Sequence, residues 1–61
     1  MEIKRVSITQ SLEIITDSEV ISFEYYEWDS CLVRDGLVLI CKNDEIVQVF
    51  NMNKVDRIVR N

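Results

Sequence analysis

Histidine and proline are both missing from this chain, and glycine occurs only once, at Gly36. Without histidine, the side chain best suited to proton transfer near neutral pH is not available. A single glycine excludes the glycine-rich phosphate loops of the common nucleotide-binding folds. The lack of proline and scarcity of glycine also leave no flexible linker, so residues 1–61 read as one small domain. Long apolar runs are missing too. The longest, residues 37–41, is five residues, against the roughly 20 that a membrane-spanning helix needs. The opening residues Met1, Glu2, Ile3, Lys4 and Arg5 lead into no apolar stretch of signal-peptide length. A cytoplasmic setting, that of the host if the source is viral, and no membrane partner are expected.

Catalysis is correspondingly poorly served. No serine or cysteine has an evident base beside it in the sequence. Glu24 with Glu27, or Asp44 with Glu45, could be cast as acid pairs, but charged turn residues are far commoner than catalytic dyads. The chain therefore reads as no enzyme, with no catalytic residue and no cofactor. Two cysteines without histidine do not complete a zinc shell within one chain, so no metal is expected either.

What is present is a globular composition, 48% hydrophobic and 30% charged, and a strand-like pattern. Sixty-one residues lie near the lower limit at which a core carries a fold alone. The most regular pattern covers residues 31–59, short apolar strands cut by turn signals. Asp35-Gly36 suits a two-residue hairpin turn. It sets Arg34 opposite Leu37, Val33 opposite Val38, Leu32 opposite Leu39 and Cys31 opposite Ile40. Cys41 then falls opposite Ser30, and the two cysteines project from opposite faces, which disfavours a disulfide. Buried free thiols are the expected state.

A second turn at Asn43-Asp44 places Lys42 opposite Glu45, with Ile40 facing Val47 and Val38 facing Val49. Residues 37–41 are apolar on both parities, so that strand should be covered on both faces. The chain must curl into a barrel or bury its second face on another subunit. Burying roughly 500 Å² of extra apolar surface supplies on the order of 12 kcal/mol before entropic costs.

Earlier in the chain, residues 6–9 alternate and the same parity resumes at 12–14. Asp17-Ser18 marks a turn, and residues 19–28 follow, rich in β-branched and aromatic side chains. Alternation there puts Phe23 and Tyr25 on one face, with Glu24, Tyr26 and Trp28 on the other. At the C-terminus, Val55, Ile58 and Val59 fit either a closing strand or a short helix. The strand is preferred, with Asn51, Met52, Asn53 and Lys54 as its hairpin loop and Ile58 on the face of Val47 and Val49. The expected fold is all-β: a small antiparallel meander of five or six strands, a curled sheet or small barrel.

Charge narrows the partners. Residues 13–45 carry nine acids and two bases, within a chain of net charge −4. A broad nucleic-acid footprint is thereby disfavoured. Lys54, Arg57 and Arg60 could touch a phosphate, although solvated edge charges are the commoner use. The sharpest local feature is the acidic and aromatic stretch of Glu24, Tyr26, Glu27, Trp28 and Asp29. Tyrosine and tryptophan are favoured interface anchors, so these five are the expected partner-binding residues. The alternative is that Trp28 closes one end of a barrel.

No stretch carries a family motif. The acidic, proline-free, β-rich character is of a type shared with many small bacterial and phage proteins, a likeness that transfers no residue. A binding protein that self-associates through its sheet is the first expectation. The second is a phage-type inhibitor or antagonist of a nucleic-acid- or nucleotide-handling host protein, docking its acidic stretch on a basic protein partner. The third is a small barrel that itself binds nucleic acid or a nucleotide.

Overall fold

The protein, described here by a computed structural model covering Met1–Asn61, is all-β. Its strands are β1 (Glu2–Lys4), β2 (Leu12–Thr16), β3 (Val20–Phe23), β4 (Ser30–Arg34), β5 (Leu37–Lys42), β6 (Glu45–Asn51) and β7 (Val55–Arg60). They form two antiparallel sheets, sheet A in the order β1-β4-β5-β6 and sheet B in the order β3-β2-β7. There are thus seven strands where five or six were expected, and the barrel does not close, since no ladder joins the two sheets.

The core lies between the sheets. Leu12 and Ile14 of β2 meet Cys31, Val38 and Ile40 of sheet A, and Trp28 joins the same fully buried cluster. Ile3, Ile21, Phe23, Val33, Phe50, Val55 and Ile58 pack around it. Alternation along β2 explains its role: Leu12 and Ile14 point inward, while Glu13 and Ile15 point out.

Both hairpins of sheet A turn on two residues with positive φ, Asp35 at 52° and Gly36 at 77°, then Asn43 at 53° and Asp44 at 65°. These are the conformations a type I′ turn requires, and its twist matches the strands it joins. The β4–β5 register is the expected one throughout, from Arg34 opposite Leu37 to Ser30 opposite Cys41. The β5–β6 register departs from expectation after its first pairs. Lys42 does face Glu45, but Ile40 faces Gln48 and Val38 faces Phe50, because a bulge intervenes between Ile40 and Cys41. The extra residue, Val47, reverses the parity of everything after it. Phe50 thereby turns into the core, where its ring meets Phe23 edge-on at 6.3 Å. Val47 and Val49 are left outside, so the bulge buries the larger side chain of the alternatives.

Three other expectations are corrected. Residues 6–9 are not a strand: the Gln10 side chain accepts from Val6 N at 2.9 Å and Ser7 Oγ accepts from Thr9 N at 3.3 Å. Local side chains capture the backbone donors that a ladder needs. The alternation of residues 19–28 stops at Phe23, since Glu27 N donates to Glu24 O at 2.8 Å and closes a turn. Finally, the C-terminal segment is a strand, but β7 pairs with β2 and not with β6. A 3-10 turn over Met52–Lys54, capped by Asn51 Oδ1 accepting from Asn53 N at 2.9 Å, carries the chain from one sheet to the other. Ile58 consequently faces the core opposite Ile14, away from Val47 and Val49.

Candidate functional site

The unexplained surface of this protein is the outer face of sheet A. The ladders place Leu32 beside Leu39 and Leu39 beside Val49, one apolar row across three strands. Next to it run Ser30, Cys41 and Ile46, and on the other side Arg34, Leu37 and Asn51. Leu39 is only 6% exposed because these neighbours crowd it, whereas Val49 is 48% and Ile46 56% exposed. β5 is therefore apolar on both faces, with sheet B covering one and nothing in the chain covering the other. A shallow hollow of about 340 Å³ on this face is lined by Leu32, Leu39, Cys41 and Ile46 together with Ser30 and the charged Glu2, Asp29, Arg34 and Asp44.

Asp29 is the most connected of these residues. Its Oδ2 accepts from Asn43 N at 2.6 Å, and its Oδ1 lies 3.4 Å from Arg5 Nη2 and 3.7 Å from Lys42 Nζ. The Asn43 N–H, followed by the Arg5 and Lys42 charges, holds this carboxyl below its ordinary range, against an opposing push from burial. Arg5 Nε also donates to Trp28 O at 3.1 Å, and Asp29 N donates to Cys41 O at 2.7 Å. This carboxylate thus ties the loop after β1, the start of β4 and the β5–β6 turn together. Arg5 was not singled out from the sequence, since nothing local foretells a partner 24 residues away.

The five expected partner-binding residues are split by the fold. Trp28 is no surface anchor: it is fully buried in the core, its Nε1 donating to Gln10 O at 3.1 Å. Asp29 is engaged as described. Glu24, Tyr26 and Glu27 remain together on an exposed turn, with Glu27 Oε1 accepting from Glu24 N at 2.9 Å. Tyr25 joins them, its ring 5.3 Å from that of Tyr26 in an edge-to-face arrangement.

The three C-terminal bases do not form one site. Lys54 lines a groove of about 490 Å³ between the β2–β3 turn and the β6–β7 connection, beside Asp17, Glu19 and Asp56. Arg57 stands opposite Ile15 on the outer face of sheet B. Arg60 Nη1, at the far end of β7, donates to Lys4 O at 2.8 Å and bridges the sheets.

Cys31 and Cys41 are unpaired and buried on opposite faces of sheet A. Burial, with a smaller contribution from Cys41, pushes the Cys31 thiol up to about 11. No three acidic or thiol side chains converge in a metal-binding arrangement. No helix is long and apolar enough to cross a membrane. No family model matches the chain, and neither a curated protein nor a solved structure matches it.

Sequence reasoning named β5 as doubly apolar but missed Leu32, Ile46 and Val49 as its outer companions. Leu32 was available from the hairpin register. Ile46 was available too, since the Asn43-Asp44 turn sets it opposite Cys41, whereas Val49 was hidden by the bulge, which has no glycine to announce it.

Proposed function

We propose that this protein is a non-enzymatic interaction module that self-associates by packing the outer face of sheet A against a second copy. The observation that supports this reading is the row Leu32, Leu39 and Val49, apolar across three strands with no second sheet over it, in which Val49 and the neighbouring Ile46 are about half exposed. Domains of this size shed contiguous apolar surface unless it has a use. Roughly 500 Å² of such surface supplies about 12 kcal/mol at ~25 cal/mol per Å². That is comparable with the ~4–15 kcal/mol that association costs. Sedimentation of the purified chain across micromolar concentrations tests the reading. Concentration-dependent assembly that is weakened, with a smaller largest species, in Leu39→Glu is the expected result. Assembly unaffected by Leu39→Glu removes the role of this face.

A second reading has its own observation. The turn bearing Glu24, Tyr25, Tyr26 and Glu27 offers two exposed rings between two acids, a combination suited to lysine or arginine side chains of a basic protein partner. Such a partner includes the nucleic-acid- or nucleotide-handling proteins that an acidic antagonist would occupy. Capture of a basic protein that survives Glu24→Gln with Glu27→Gln but is lost in Tyr26→Ala assigns the recognition to the ring. Capture unchanged in both variants eliminates this turn. Direct binding of nucleic acid finds less support, because Lys54, Arg57 and Arg60 lie apart and Lys54 has acidic neighbours.

A further inference from the structure

We infer that β6 is a second self-association site, pairing edge to edge with β6 of another copy about a two-fold axis at Val49. The inference rests on the self-association reading in that both require a second copy, but it uses a different surface.

β6 is the longest free edge in the molecule and the least protected. β1 has three residues, two of them charged, and β7 carries Asp56, Arg57 and Arg60. β3 has four residues closed at either end by Glu19 and Glu24. β6 runs for seven residues with a single charge, Glu45, at its start. Natural edges of that length ordinarily carry lysine, proline or inward charges that prevent pairing.

The backbone phase of β6 is fixed by the ladder. Met52 N donates to Gly36 O at 2.9 Å, which marks these residues as a bonded pair. Bonded and non-bonded pairs alternate along an antiparallel ladder. Val38 with Phe50 and Ile40 with Gln48 are therefore bonded pairs, and Val49 and Asn51 turn their N–H and C=O groups to the open edge. A two-fold axis at Val49 lets two copies exchange both Val49 bonds. The side chains agree with that register. Gln48 and Phe50, which share the inner face, stand opposite one another. The outward Val49 meets the partner's Val49, joining the apolar rows of the two copies into one. Moving the axis to Gln48 sets outward Ile46 against inward Phe50, and this mismatch selects Val49. Charge agrees as well, since the acidic end of β6, Asp44 and Glu45, runs toward the end of the other copy that carries Asn53 and Lys54.

Edge pairing and face packing together build a closed tetramer with three mutually perpendicular two-fold axes. Two variants separate them. Val49→Pro removes the outward donor while leaving apolar bulk on the face, and an edge position whose N–H faces solvent accepts proline. Val49→Cys places two thiols across the axis, with Cα atoms about 5.5 Å apart as in any bonded pair, within disulfide reach. Cys31 is fully buried and Cys41 nearly so, whereas residue 49 is about half exposed, so the introduced thiol is the most accessible of the three.

The wild-type chain is expected to sediment as a tetramer, and Leu39→Glu and Val49→Pro each as dimers. Their combination should give a monomer, and Val49→Cys should form a disulfide-linked dimer under mild oxidation while Val59→Cys does not. Val49→Pro assembling as wild type, with Val49→Cys failing to crosslink, overturns the edge and leaves the face reading intact. Crosslinking of Val49→Cys with assembly indifferent to Leu39→Glu overturns the face and supports the edge. A wild-type monomer at high micromolar concentration overturns both. Unfolding of Val49→Pro is recognised by its lost amide dispersion, and the crosslinking result then decides.

Discussion

The two sheets contribute alike to the core but differ on their outer faces. On sheet B, Glu13 of the central strand lies between Ser22 and Val59, and Ile15 lies between Val20 and Arg57. Each cross-strand row contains a charge. On sheet A, the central row reads Leu32, Leu39, Val49 and meets its first charge only at Glu2 on the far edge. Both sheets have satisfied their packing needs inside, so the core places no demand on Leu39 or Val49. The difference is an apolar row on one face of one sheet, the feature on which the self-association proposal rests.

Removing the shared core abolishes the comparison altogether. Trp28→Ala deletes the largest fully buried side chain and leaves the Gln10 carbonyl without its indole donor. A loss of about 3–5 kcal/mol is expected, against a total stability of ~3–9 kcal/mol for a chain of this length. Denaturant titration should find the variant largely unfolded, and a midpoint within error of wild type contradicts the burial of Trp28.

Matched charges on the two outer faces break the comparison selectively. Leu39→Glu on sheet A should weaken assembly at least ~100-fold, about 2.7 kcal/mol. Val59→Glu on sheet B should leave the association constant within roughly threefold, as surface changes outside an interface do. Sedimentation equilibrium on both, with amide spectra to verify folding, gives the answer. Equal effects on the two faces erase the distinction drawn between them.

How far this contrast was legible in the sequence follows from particular residues. Asp35-Gly36 fixed the β4–β5 register because a two-residue I′ loop admits only one, and with it the opposed cysteines. Residues 37–41 announced a strand needing two covers. Beyond Leu32 and Ile46, which the two turns set opposite Leu39 and Cys41, the outer companions were not legible, because parity past Val47 depends on the bulge. That bulge is selected by the burial of Phe50 against Phe23, a contact 27 residues apart in sequence that no local signal encodes. The division of the aromatic stretch was equally hidden. Whether Trp28 lies inside depends on the gap between two sheets, which exists only once β7 has left β6 for β2. Residues 6–9 misled for a local reason, since Ser7 and Gln10 offer the backbone an alternative to pairing.

The Asp29 clamp sharpens the comparison at the rim of sheet A. Its carboxyl is held below the ordinary range, chiefly by the Asn43 N–H. A group with a depressed folded pKa binds protons more readily in the unfolded chain. Its stabilising contribution is complete above the unfolded value, about 3.9, and is lost as pH falls through the lower folded value. Asp29→Asn should therefore be less stable than wild type near neutrality, and the gap should narrow as pH is lowered through the acid range. Thermal unfolding from neutral pH to below 3.9 measures this. A gap constant across that range shows that the carboxylate charge has no part in the clamp.

The two cysteines report the faces of sheet A without any substitution. Cys31 points into the core and is fully buried, with its thiol pushed up to about 11. With its thiolate disfavoured and its sulfur inside the core, it is reached only when the core opens. Cys41 points outward between Ser30 and Ile46 and retains slight exposure. Small local openings suffice for a thiol reagent to reach it. Labelling followed by mass spectrometry should find Cys41 modified well before Cys31. Raising the protein concentration into the assembled range should slow Cys41 about tenfold or more, while Leu39→Glu should abolish that protection. Cys41 labelling that ignores concentration, in a chain shown to assemble, means the second copy docks elsewhere than on this face.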